Sequence, residues 1–122
     1  MYRFSSLSWD NLKGVDPRLV AVASRALAYS PVDFMVTEGL RSKKRQRQLV
    51  ASGASQTMDS KHLVGKAIDV AAFVNGRIRW DWPLYPQIAD AFKRAARELE
   101  VPLSWGGDWS SFWDGPHFQL DT

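Results

Sequence analysis

Ala67-Ile68-Asp69-Val70-Ala71-Ala72-Phe73, followed by Asn75-Gly76 and Arg77-Ile78-Arg79-Trp80, is the stretch on which the fold turns. The apolar run predicts a strand, Asn-Gly is the strongest short hairpin signal, and the residues after it predict an antiparallel return. An aspartate stands in the middle of the first strand. Burying an ionised carboxylate there costs several kcal/mol unless a cation or strong donors compensate it. On a two-residue repeat Asp69 shares a face with Ala67 and Ala71, whose small side chains leave room beside it, while Ile68 and Val70 face the other way into a core. The strand thus has one closed face and one open face that carries a charge.

Upstream, Asp16-Pro17 supplies a cap and a first-turn proline, and Leu19, Val22, Ala23, Ala26 and Leu27 follow at helical spacing until Ser30-Pro31. Val32, Phe34 and Val36 alternate with Asp33, Met35 and Thr37, which predicts a strand before the turn at Gly39. Ser42 can cap a second helix through about Ser52, with Gly53 placed to end it, and the polar stretch 54–61 reads as a loop. Downstream, Ile88, Ala91, Phe92, Ala95 and Leu99 mark a third helix that stops before Pro102. Leu103 to Trp109 and Pro116 to Leu120 read as two short strands joined by a loop. The expectation is a single small α+β domain over residues 1–122, an antiparallel sheet flanked by about three helices.

Composition narrows what such a domain can do. With 122 residues, 45% of them hydrophobic, there is enough for one core and not for a second domain. The absence of cysteine excludes disulfides, thiolate ligands and a cysteine nucleophile, so a metal site has to be built from imidazole and carboxylate. The first ten residues show neither the apolar run nor the cleavage site of a signal peptide, and nothing is long enough to span a membrane. Synthesis in a cytoplasm, with access to any external substrate by a separate route, is therefore expected. A formal charge of +3 and a pI of about 9.4 favour an anionic partner only weakly. The densest basic run, Arg41 to Arg47, lies on a predicted helix, where a solvated face is the ordinary outcome, and nucleic-acid binding is not expected.

The chain has two histidines, and each sits near a carboxylate in a glycine-containing stretch: His62-Leu63-Val64-Gly65-Lys66-Ala67-Ile68-Asp69 and Asp114-Gly115-Pro116-His117. Gly65 lets the loop fold back so that His62 can meet Asp69, and His117 would arrive from a neighbouring strand. Two imidazoles and one carboxylate form a three-ligand set for a single Zn²⁺ with a fourth position open to water, the arrangement of a catalytic site. Asp114, three residues before His117, is the candidate general base. Spacing alone leaves the plainer reading open, in which the histidines are hydrogen-bonded structure and the aspartates serve turns and caps.

The ordered motifs go further. Ser60-Lys61-His62 through Asp69, then Trp105-Gly106-Gly107-Asp108-Trp109 and Asp114-Gly115-Pro116-His117-Phe118, resemble the VanY-like family of zinc D,D-carboxypeptidases and L-alanyl-D-glutamate peptidases, and phage endolysins of the latter kind in particular. Thr37-Glu38-Gly39-Leu40-Arg41-Ser42 with Gln46, Leu49 and Gly53 is similar to the family's arginine-bearing strand end and following helix. The resemblance implies a Hedgehog/D,D-peptidase-like fold with one Zn²⁺ on the sheet, held by His62, Asp69 and His117, and Asp114 as base. It further implies that Arg41 contacts the substrate or its developing oxyanion. Ser60 would bond substrate or loop backbone, and Trp105, Asp108 and Trp109 would line the cleft. Many relatives carry glutamate where this chain has Asp114, so the shorter side chain must approach more closely. The implied activity is that of an endolysin without a separate wall-binding domain, a monomer that cuts the L-Ala-D-Glu bond of peptidoglycan stem peptides once a holin-like pore admits it from the host cytoplasm to the wall. The alternatives are a D-Ala-D-Ala carboxypeptidase or dipeptidase and, from another class, an inactive metal-stabilised wall-binding module.

Overall fold

The computed structural model describes residues 2–55, 57–110 and 113–122. In chain order the elements are α1 (Ser6–Asn11), α2 (Pro17–Tyr29), β1 (Phe34–Glu38), α3 (Lys43–Ala51), β2 (Ala67–Val74), β3 (Arg77–Arg79), α4 (Leu84–Leu99), β4 (Leu103–Trp105) and β5 (His117–Leu120). Single 3₁₀ turns cover Lys61–Val64 and Gly106–Asp108. The strands form one antiparallel sheet ordered β1-β2-β5-β4, with β3 paired to the end of β2.

The predicted central hairpin is present. Asn75 and Gly76 both take positive φ, 52° and 78°, as a two-residue turn with the right twist requires. Ile68, Val70 and Ala72 join the hydrophobic core with Phe34, Phe92 and Phe118, whereas Ala67 and Ala71, equally buried, lie outside that cluster. The strand therefore divides its faces as the alternation requires. Beneath the core face, α2 and α4 bury the predicted stripes, among them Leu19, Val22, Ile88 and Phe92. The caps also form: the Asp16 carboxylate accepts from the Arg18 amide, and the Ser42 hydroxyl accepts from the Arg45 amide.

Two features differ from expectation. Among the described residues the helices number four, against an expected three or so, because α1 precedes the others. Six residues are too few to show a periodic stripe, so its only local signal is Ser5, whose hydroxyl accepts from the Ser8 amide. Its role is tertiary. Ser8 Oγ accepts from the Val36 amide at 3.0 Å and Asn11 Nδ2 donates to the Val36 carbonyl at 2.9 Å, so α1 covers the free edge of β1. The second difference is at His62, expected in an open loop but seated in the 3₁₀ turn, with Ser60 Oγ accepting from its amide at 3.2 Å.

That turn ends at Gly65, which has φ of 71° and packs on the chain before α2. A Cβ at Gly65 would lie 2.4 Å from the Gly14 carbonyl oxygen, while the Gly65 carbonyl accepts from the Asp16 amide at 2.8 Å. Gly53 has a similar φ of 81° but nothing within 4 Å of the same position. Gly53→Ala should therefore cost about 1 kcal/mol, the left-handed penalty alone, and Gly65→Ala more than about 2 kcal/mol. Urea unfolding of the two variants separates the contributions; equal losses would mean that the Gly14–Gly65 contact gives way freely.

Candidate metal centre

Antiparallel register places Asp69 on β2 directly opposite His117 on β5, and the 3₁₀ turn brings His62 alongside. His117 Nδ1 lies 3.2 Å from Asp69 Oδ1, and His62 Nε2 lies 3.4 Å from the same oxygen. One ligand atom from each of the three residues falls within 4.8 Å of the others, close enough to share a metal ion. The imidazole rings are 5.1 Å apart and roughly perpendicular, so neither blocks the other.

The hydrogen bonds around the group fix which atoms face the centre. His62 Nδ1 is 2.9 Å from the Gly39 carbonyl, which can only accept, so Nδ1 carries the proton and Nε2 is directed at Asp69. That buried Nε2 has no hydrogen-bond partner among the described residues. A bare imidazole nitrogen facing a carboxylate sets two acceptors against each other, and a cation between them resolves the conflict. His117 is oriented in the same way: its Nε2 donates to Gln119 Oε1 at 2.9 Å and leaves Nδ1 for the centre. The residues present fit a single metal ion held by two imidazoles and a carboxylate, with room left for a further ligand.

Charge balance in the metal-free chain follows the same geometry. Burial pushes the Asp69 carboxyl up, but the hydrogen bond and charge of His117, with the His62 ring alongside, outweigh it and hold the group well below the usual carboxylate range. Burial pushes His117 down, and Asp69 more than reverses that, raising it. Arg41 completes the surroundings. Its buried guanidinium donates from Nε to Glu38 Oε1 at 2.6 Å, from Nη1 to Gln46 Oε1 at 2.7 Å and from Nη2 to Asp69 Oδ2 at 3.4 Å. It therefore steadies the carboxylate oxygen that the histidines do not face.

A cleft of about 730 Å³ opens over this group. Asp114, Arg41, Ser60 and Trp109 line it together with the three clustered residues. Asp114 sits in the turn that leads into β5, its backbone tied to Gly106 and to the His117 amide. Burial raises its carboxyl first, and the nearby Asp69 charge adds to the rise. Trp109 packs on the His117 ring at 5.1 Å, and Ser60 caps the turn that carries His62.

Two residues expected along the cleft lie elsewhere. Trp105 is buried beneath the site, stacked near Phe118, and its indole N–H donates to the Gly115 carbonyl at 2.7 Å. It supports the Asp114 turn from below. Asp108 points outward and pairs with Lys93 at 2.7 Å. Sequence reasoning missed Glu38 and gave Gln46 no place in the site, though Gln46 is fully buried and also donates to Ser55 Oγ and the Thr57 carbonyl. Its only sequence signal is a glutamine on the inward side of a helix half of whose other residues are charged.

Fold and site together define a class: small α+β domains that build a His-Asp-His group onto the central strand of an antiparallel sheet. The chain belongs to the phage L-alanyl-D-glutamate peptidase family, which it matches over residues 1–120. It is 38% identical over 117 residues to the L-alanyl-D-glutamate peptidase of Escherichia phage T5, covering 93% of this chain and 85% of that protein. Identity to the L-alanyl-D-glutamate peptidase of Listeria phage A118 is 35% over 122 residues, covering 97% of this chain but 42% of that longer protein. Among solved structures, the Serratia marcescens L-Ala D-Glu endopeptidase ChiX is similar at a TM-score of 0.92 and 53% identity, covering 98% of this chain and 90% of that one.

The raised Asp114 carboxyl predicts a stability effect with a definite sign. A group whose folded pKa lies above its unfolded value stabilises the fold when protonated and loses that contribution as pH rises through the folded value. Asp114→Asn should therefore raise the melting temperature of the chelator-treated protein at pH 7, with the gain fading as pH falls through the raised folded value towards the ordinary Asp value of about 4 and absent below it. Thermal melts across pH check this; a variant less stable than wild type at pH 7 would contradict it.

Proposed function

We propose that the chain is a zinc-dependent peptidoglycan endopeptidase, an endolysin that hydrolyses the L-Ala-D-Glu bond of stem peptides. The observation that carries the proposal is the His62-Asp69-His117 group at the floor of a cleft beside the raised carboxyl of Asp114. Support for the bond cut comes from the relatives, which are named for that peptidase activity. The same reading has a monomer made in the host cytoplasm and passed to the wall through a holin-like pore. No described helix is long and apolar enough to cross a membrane.

His62, Asp69 and His117 would hold the ion, with Gly39, Gln119 and Arg41 fixing their orientation. Zinc held there supplies Lewis-acid polarisation of the scissile carbonyl and acidifies water. Asp114 accepts the proton of the attacking water and returns it to the leaving amine of D-Glu. A carboxyl raised by burial suits both transfers, because it holds the proton more firmly than an exposed aspartate does between them. Arg41 holds Asp69 in place and, from the cleft wall, offers a guanidinium to the substrate carbonyl.

Digestion of purified peptidoglycan, with mass spectrometry of the fragments, tests activity and bond choice together. The expected products carry a free D-Glu amine on one side and an L-Ala carboxylate on the other. Release of D-Ala with the Ala-Glu bond intact would instead identify a carboxypeptidase. Chelation should abolish the digestion and stoichiometric Zn²⁺ restore it, and Asp114→Ala should lower the rate by about 10²- to 10⁴-fold.

A further inference from the structure

Trp80 and Trp82, between β3 and α4, and Trp113, next to Asp114, give the surface beside the cleft three exposed tryptophans. Trp82 and Trp113 stack with centroids 4.6 Å apart and planes 11° from parallel, and Trp82 in turn stacks on buried Trp105 at 5.8 Å. Trp113 is 67% exposed and Trp80 60% exposed, and Trp80 also lines the cleft. This surface is continuous with the turn that carries Asp114. Trp105 holds the Gly115 carbonyl, and a Cβ at Gly115 would lie 2.9 Å from the Trp82 ring. Exposed indoles grouped this way keep an apolar patch in water, which folding alone does not require.

The geometry points to a binding site for the sugar of the substrate, an N-acetylhexosamine ring laid against the exposed indole of Trp113. This rests on the bond assignment proposed above. If the scissile carbonyl belongs to L-Ala, a single residue separates it from the lactyl group of the N-acetylmuramic acid, and one extended residue spans at most about 3.6 Å. The sugar must then lie close to the metal-site cleft, at its rim. A pyranose matches such a surface: its C–H face packs on an indole while its hydroxyls stay in water.

The test compares Trp113→Ala and Trp113→Phe with wild type on two substrates, a disaccharide-tetrapeptide and the same tetrapeptide freed of sugar by an amidase. Trp113→Ala should lower kcat/KM on the sugar-bearing substrate about five- to tenfold, through KM, and leave the sugar-free peptide unaffected. Trp113→Phe should recover most of the loss. Equal loss on both substrates, or no loss on either, overturns the sugar site. A wild-type enzyme that cuts other bonds of these substrates and spares L-Ala-D-Glu overturns the bond assignment itself, so the two failures are distinguishable. A second measurement is independent of turnover: quenching of tryptophan fluorescence by the free GlcNAc-MurNAc disaccharide in chelator-treated protein, expected for wild type and lost in Trp113→Ala. Equal quenching in the two proteins would also overturn the site.

Discussion

Asp69 stands in the middle of the central strand with fully buried Ile68 and Val70 on either side, and the rest of the structure depends on how its charge is met. A carboxylate in that position destabilises the fold unless cationic or strongly donating groups surround it. Three separate parts of the chain answer it. β5 brings His117 by register, the turn after Ser60 brings His62, and the segment between β1 and α3 brings Arg41, itself held by Glu38 and Gln46. Even so, His62 Nε2 is left facing an acceptor without a proton to share, which is the local reason for reading the group as a metal centre.

The backbone contacts that deliver these side chains are tight. Gly65 lies against Gly14, so the His62 turn is fastened to the chain entering α2. On the other side of the cleft, a Cβ at Gly106 would meet the Asp114 carbonyl oxygen at 2.3 Å, so the turn bearing Asp114 rests directly on the backbone after β4. Function accordingly draws on packing some distance from the chemistry. Trp105 illustrates this, since it touches no cleft surface yet fixes the Gly115 carbonyl and, through Phe118, the strand that carries His117.

Much of this was readable from the residues in order. Alternation in β2, the Asn75-Gly76 turn, the Asp16-Pro17 and Ser42 caps and the stripes of α2 and α4 are local signals, and each appears where the pattern places it. Asp69 among apolar neighbours, with two histidines each close to a carboxylate, pointed to the three-residue cluster. What escaped depends on contacts distant in sequence. Helix α1 exists because Ser8 and Asn11 satisfy the edge of β1, and Gln46 enters the site because Ser55 Oγ and the Thr57 carbonyl accept from its amide. Trp105 and Asp108 share a motif with Trp109, but a short 3₁₀ turn sends the three in different directions, which residue type cannot reveal.

Zinc titration of metal-free wild type and Asp69→Asn, by calorimetry and a thermal melt on each, asks whether Asp69 and the two histidines form one metal site. Wild type should take up one zinc per chain, with a melting temperature that rises with free zinc. Asp69→Asn should stay folded and lose most of that affinity. Wild-type zinc affinity in Asp69→Asn, or no zinc uptake by the wild-type chain, would contradict the shared site.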